Sequence, residues 1–208
     1  GRDVSLRPEM TPSLARILGE RSRAMSKPIR WFSVPQLFRY ERQQRGRLRE
    51  HFQWNVDIVG EEGVAADAEV VAVAIDGLRE LGLGADAFRA RVSDRKIVSA
   101  ILAAEGVAPE RLPAALAVID KLERQPRERS AEGLVSLAGM APGAAEGVLD
   151  LFEGADAAAV RDRFGDREEV AAELERLEAY VDALRAMGLG DFVEIDLRIV
   201  RGLAYYTG

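Results

Sequence analysis

From His51 to Ile58 the chain alternates without interruption. His51, Gln53, Asn55 and Asp57 are polar, while Phe52, Trp54, Val56 and Ile58 are apolar. A period of two sends successive side chains to opposite faces of a strand, so this stretch predicts one strand with a polar and an apolar face. Lys, Glu and Thr, the usual residues of a solvated strand face, are missing from the polar set. Amides and a carboxylate stand there instead, groups suited to binding a small polar molecule. A plain solvated sheet face is the competing reading.

The flanking sequence supplies the strand with neighbours. IRWFSVPQLFRY is rich in aromatic and β-branched residues and reads as a strand despite Pro35. The polar stretch ERQQRGRLR, with Gly46, forms the loop between the two strands. Further back, DVSLR reads as a strand already in progress. Thr11 and Pro12 then start a helix, as a hydroxyl N-cap followed by proline at the first helical position. Leu14, Ile17 and Leu18 carry that helix to about Met25.

Beyond residue 60 the order is helix over 64–82, a short strand in AFRARVS, and a helix from Asp94 to Glu105 stopped by Gly106. From Pro109 to about Arg163 no strand signal appears, and PRERS, GMAPG and FEGAD separate short helices. A long amphipathic helix over 166–187 carries Leu174, Leu177, Val181 and Leu184 on one face. The chain then returns to strands. Mixed elements without regular βαβα alternation predict an α+β fold with an antiparallel sheet.

Composition sets limits on chemistry. With 208 residues, 48% of them hydrophobic, the chain has ample material for a core. Cysteine is absent, which excludes disulfides and thiolate zinc sites, and the lone His51 excludes a multi-histidine metal site. No apolar run approaches the roughly 20 residues a membrane span needs. GRDVSLRPEM has no signal-peptide character, so a cytoplasmic protein is expected. Net charge is -6, yet residues 21–49 hold nine Lys or Arg against one acid, Glu41. Such a local patch fits a specific polyanion, or equally a solvated basic loop.

FRYERQQRGRLREHFQ (38–53) thus joins two strands by an arginine-rich loop, from which guanidinium groups can clamp phosphate oxygens. Neither a P-loop nor a dinucleotide fingerprint is present. In LRPEMT (6–11), Glu9 can bind an amine or simply favour the positive end of the helix that follows. RGLAYYTG (201–208) sets Arg201 beside a glycine and near two tyrosines; alone, it suits a core strand end as well as a site.

Together and in this order, these three motifs, with NVDIVG (55–60) closing the second, resemble the class II histidyl-tRNA synthetases. The likeness is strong over 3–60, 88–106 and 190–208. It implies a class II synthetase-like antiparallel sheet flanked by helices, with residues 1–106 and 166–208 forming catalytic core around a helical insertion at 107–165. It also implies a reaction: histidine and ATP, with Mg2+, give histidyl-adenylate, and the histidyl group then passes to the 3′ end of tRNA(His). The family acts as a homodimer. Its motif 1, motif 3 and anticodon-binding domain are expected outside residues 1–208, making the chain a fragment of little activity and doubtful independent stability.

Residue by residue, the resemblance gives Arg39 the ATP α-phosphate, Glu41 the adenine end, and Arg47 a place on the loop used for ATP and the tRNA acceptor end. Glu9 and Thr11 match groups on the α-amino group of histidine. Gln53 matches a residue near the substrate carboxylate, and Asp57 stands where many members have glutamate. Arg201 matches the arginine that stabilises charge at the α-phosphate as the carboxylate attacks. Tyr205 and Tyr206 line the imidazole pocket, and Ala204, aspartate in some members, has no role. Arg124, Arg127 and Arg129 are the insertion's candidates for a tRNA contact, against a purely structural cap. Two rivals are a non-charging, synthetase-like regulatory subunit of ATP phosphoribosyltransferase and a non-catalytic RNA-binding module. The first usually erodes the contacts retained here; the second leaves the polar strand face and the tyrosine pair unexplained.

Overall fold

The structure, a computed structural model, describes residues 3–42, 44–154 and 157–200. It divides into two compact units, Gly1–Ala66 and Asp67–Gly208.

In the first unit, α1 (Thr11–Arg21) leads through a 3-10 turn (Ser22–Ala24) to four short strands: β1 (Ile29–Ser33), β2 (Gln36–Phe38), β3 (Glu50–Phe52) and β4 (Asn55–Val59). β1 pairs antiparallel with β4, from Ile29↔Val59 to Ser33↔Asn55, and β2 with β3, from Gln36↔Phe52 to Phe38↔Glu50. The two ladders are successive stretches of one long hairpin, interrupted at matching points. Pro35 has no N–H to give and breaks the first arm. Opposite it, the Gln53 N–H donates to the Pro35 carbonyl (3.1 Å) and the second arm breaks at Gln53–Trp54. The single strands expected over 29–40 and 51–58 are therefore each split in two.

Two more expectations need correcting. DVSLR is not a strand: residues 3–7 are exposed and irregular, joined to β2 by the Phe38 N–H donating to the Arg7 carbonyl (2.9 Å). Thr11 is not the N-cap of α1. Met10 holds that place without a side-chain bond, and Thr11 and Pro12 form the first helical turn. Proline is tolerated there because the first N–H groups of any helix lack intrahelical acceptors.

The second unit is largely helical. After α2 (Val64–Glu80) and β5 (Ala90–Val92) come α3 (Arg95–Ala104), α4 (Leu112–Ile119), α5 (Arg127–Ser136), α6 (Pro142–Gly154), α7 (Ala157–Phe164), α8 (Glu168–Ala186) and β6 (Val193–Ile195). Asp94 caps α3, its carboxylate accepting from the Lys96 N–H (2.8 Å), and Gly106 ends that helical segment at φ +89°. β6 returns parallel to β5, Ala90↔Val193 to Val92↔Ile195, a pairing not foreseen from sequence. Everything from α3 to α8 lies on the crossover between these two strands.

That crossover builds its own core, in which Ile97, Ile101, Ile119, Leu134, Leu149 and Phe152 are wholly buried. Each such side chain contributes about 1.5–3 kcal/mol by leaving water. A smaller core gathers Ala68, Ala72 and Ile75 of α2 with Leu184 and Leu189. Helix α8 serves both, giving Leu174 and Leu177 to the first and Leu184 to the second. Among the described residues no helix is long and apolar enough to cross a membrane.

Candidate active site

The β1–β4 ladder decides which side chains share a face. Trp31 stands opposite Asp57 and Ser33 opposite Asn55, while Phe32 stands opposite Val56 on the other side. One side of this ladder is mixed, with buried Ile29 and half-buried Trp31 and Ser33 facing Val59, Asp57 and Asn55, and on the other side Arg30 and Phe32 are exposed while Val56 and Ile58 are half-buried. Phe32 and Phe52 are 72% and 71% exposed and Trp54 is 50% exposed. Ser33, Asn55 and Asp57 are half-buried, as are His51 and Gln53 along the same arm. Asn55 and Asp57 therefore sit on a half-buried face of mixed chemistry and not on a fully solvated one.

Its polar groups are also incompletely satisfied. The Ser33 hydroxyl and Asn55 Nδ2 are buried and lack a hydrogen-bond partner among the described residues. Such groups normally find a partner in the folded protein or in a ligand. Burial raises the Asp57 carboxyl above its ordinary range. Neither Ser33 nor Asn55 was assigned a role from sequence. Asn55 belongs to the polar alternation, a signal that was available; Ser33 gives none, since its position depends on cross-strand register. Gln53 lies in the break before β4, so the expectation that it and Asp57 project from one continuous strand does not hold.

A second group of residues converges where LRPEMT meets the hairpin. Arg7 Nε donates to the Gln36 carbonyl (2.9 Å) and Arg39 Nε to the Pro8 carbonyl (2.9 Å). The Arg39 N–H reaches the Arg49 carbonyl (2.8 Å), closing the base of the arginine loop. These bonds hold half-buried Arg39 beside the residue that precedes Glu9, from a distance of 31 positions in the chain. Glu9 and Thr11 are exposed at the start of α1. Within the loop, Gly46 takes φ +79°, a left-handed turn that favours glycine. Arg47 pairs with Glu41 (2.8 Å), so any ligand must share or displace that ion pair. Arg49 lies over the Tyr40 ring at 4.4 Å.

Glu9, Thr11, Arg39, Glu41, Arg47, Gln53 and Asp57 thus all belong to the first unit. Arg201, Tyr205 and Tyr206 lie outside the described residues. In the helical segment, Arg127 is engaged by Glu146 (3.0 Å), Asp150 (2.6 Å) and Glu153 of α6, which weakens its candidacy as a phosphate contact.

Comparison with known proteins gives a consistent result. The family model described as histidyl-tRNA synthetase matches residues 1–208. The histidine–tRNA ligase of Opitutus terrae is 37% identical over all of this chain and 48% of its own length. That of Halobacterium salinarum is 40% identical, again over 100% of this chain and 48% of the relative. The chain therefore spans about half the length of these curated relatives. Among solved structures, the histidyl-tRNA synthetase of Nostoc sp. PCC 7120 superposes with a TM-score of 0.82 at 21% identity, covering 97% of this chain and 47% of the other. That likeness speaks for the fold.

Proposed function

Because this chain belongs to the histidyl-tRNA synthetase family, we propose that the protein is a histidine–tRNA ligase and that the face of β1 and β4 carrying Ser33, Asn55 and Asp57 receives histidine. The observation that carries the reading is the pair of buried, unpartnered polar atoms, the Ser33 hydroxyl and Asn55 Nδ2, beside half-buried Asp57 on one face of the hairpin. A small molecule rich in donors and acceptors satisfies such a face. Its apolar isosteres leave the buried polar groups unpaired and are rejected strongly.

In the first step a carboxylate oxygen of histidine attacks the α-phosphorus of ATP. A new P–O bond forms, the bond to the bridging oxygen breaks, and pyrophosphate leaves. Arg39 holds the α-phosphate, and Arg201 neutralises charge that builds on its oxygens during attack. Glu9 and Thr11 take the α-amino group, Asp57 binds the histidine, Gln53 sits near its carboxylate, and Tyr205 and Tyr206 line the imidazole pocket. Glu41 meets the adenine end, and Arg47 serves ATP and the acceptor end. In the second step a ribose hydroxyl at the tRNA 3′ end attacks the acyl carbon and AMP leaves. Among the described residues no three His, Asp or Glu side chains converge to hold a metal. Mg2+ belongs to this reading as the counter-ion of ATP. A cytoplasmic homodimer, with residues 107–165 as a helical insertion, belongs to the same reading.

Histidine-dependent ATP–pyrophosphate exchange tests it in the full-length protein beside Arg39→Ala and Arg201→Ala. Exchange that requires histidine and collapses in both variants supports the ligase. A folded protein with no exchange overturns the reading in favour of the regulatory paralogue.

A further inference from the structure

β6 ends at Ile195, and the chain turns at once. The Asp196 N–H donates to the Val92 carbonyl (2.8 Å), extending the strand pairing by one bond. The Asp196 carboxylate then accepts from the Arg198 N–H (3.0 Å), and the Ile199 N–H returns to the Asp196 carbonyl (3.2 Å). This compact turn fixes the direction in which the backbone leaves the strand. Arg201 follows Val200 directly in sequence.

The turn is anchored in two ways, and both lead to the helices between β5 and β6. Leu197 and Val200 are buried in the main core, whose other members come from α3 to α8 and the segments joining them. Asp196, only 1% exposed, is gripped by two arginines. Arg91 of β5 donates through Nε (2.7 Å) and through its terminal nitrogen, and Arg198 donates through Nε (2.9 Å) and its own terminal nitrogen (2.8 Å). Glu123, just after α4, pairs with Arg91 and lies 3.4 Å from Arg198. Burial alone raises the Asp196 carboxyl, but the hydrogen bonds from Arg198 and Arg91 outweigh it and hold the group at about 2. A buried carboxylate needs such pairing, and losing one partner leaves an uncompensated charge. General stability does not require that the pairing fall on the residues just before a catalytic arginine, nor that the helical segment supply one of the partners.

We propose that Arg91 and Asp196, tethered to the helical segment through Glu123, are positioning residues that fix the turn ending at Val200, the residue before Arg201, and so couple the helical insertion to histidine activation. The inference rests on the assignment of Arg201 to the α-phosphate and the tyrosines to histidine. It adds a role for the helices that is separate from any contact with tRNA, and it is visible in a reaction that needs no tRNA.

The test is pyrophosphate exchange in the full-length protein, with rates normalised to active sites by the adenylate burst. Arg91→Gln is expected to lower kcat/KM for histidine by about 10- to 100-fold, the scale of a small misplacement of catalytic groups, with KM for ATP unchanged. Arg91→Lys keeps the charge but not the two-sided grip and falls between. Glu123→Gln, a mild change at a half-exposed site, shifts the same parameter in the same direction. Arg127→Gln removes a comparable ion cluster between α5 and α6 and leaves the parameter at the wild-type value. Wild-type kcat/KM in Arg91→Gln and Glu123→Gln, or an equal loss in Arg127→Gln, overturns the inference while leaving the ligase intact. Absence of exchange from the wild-type protein overturns the ligase reading itself, and this inference with it.

Discussion

Asp57 sits opposite Trp31 on a half-buried face of β4, where burial raises its carboxyl above the ordinary range. A folded-state pKa above the unfolded one means a stabilising contribution below the unfolded value, lost as pH rises through the folded value. At neutral pH the ionised Asp57 therefore works against folding. Asp57→Asn is expected to raise Tm at pH 7, with the gain vanishing below the carboxylate range. The same change lowers kcat/KM for histidine by roughly 10- to 100-fold, the effect of losing a charge-assisted hydrogen bond. Melts at the two pH values, beside exchange kinetics, check both halves. Thr11 offers the complementary case. As a first-turn residue without a capping bond, it is expected to tolerate Thr11→Ala within about 0.5 kcal/mol by denaturant titration. A true N-cap loses about 1 kcal/mol on such a change. If Thr11 takes the α-amino group as proposed, KM for histidine is expected to rise all the same.

Among the elements, helices were the most legible in sequence. Asp94 and Gly106 mark the two ends of α3 through local chemistry, and the apolar stripe of α8 follows from spacing alone. Strand limits were less so. The alternation from His51 to Ile58 runs straight across the break at Gln53–Trp54, because side-chain periodicity records faces and not which backbone groups find partners. Pro35 interrupts its own arm although the stretch around it reads as one strand, and its effect on the opposite arm depends on register. The parallel pairing of β5 with β6 spans the whole crossover and leaves no local trace. The candidate site divides the same way: Arg39 and Asp57 can be nominated from their places in the sequence motifs, whereas the Arg39–Pro8 bond and the unpaired Ser33 hydroxyl exist only once distant segments meet. Packing within the crossover core is directly testable. Leu149→Ala in α6, at a wholly buried position, is expected to cost about 2–5 kcal/mol in urea unfolding. Leu137→Ala, at an exposed position after α5, stays within about 0.5 kcal/mol.

At the scale of the molecule, charge is segregated in a chain of net charge -6. In the second unit many arginines are committed to carboxylates: Arg127 to three on α6, Arg161 to Glu178, Arg163 to Glu105 and Arg176 to Asp94. The first unit concentrates its cations between residues 21 and 49, and Arg45 stands exposed beside the turn at Gly46. A polyanion is therefore expected to meet the arginine loop. For tRNA binding to the full-length protein, Arg45→Ala is predicted to reduce the slope of log affinity against log salt by about 1, the signature of one lost phosphate contact. Arg127→Ala, whose guanidinium is already neutralised, leaves the slope unchanged. Filter binding over a salt series separates the two.

The chain has two tryptophans, and the hairpin gives them different surroundings. Trp31 faces Asp57 across the ladder and lines a groove with Ile17, Ala24 and Met25, whereas Trp54 meets solvent in the break beside the bare aromatic side. An indole's emission follows the polarity around it, so the protein carries an intrinsic two-channel reporter. On the proposed reading, histidine settling on the face that holds Asp57 is expected to perturb the Trp31 signal. Anything that comes to lie over Phe32 and Phe52 draws the Trp54 band toward shorter wavelength. With Trp31→Phe and Trp54→Phe as single-channel references, one fluorescence spectrum distinguishes filling of the Asp57 side from covering of the Phe32 side, without a label on either.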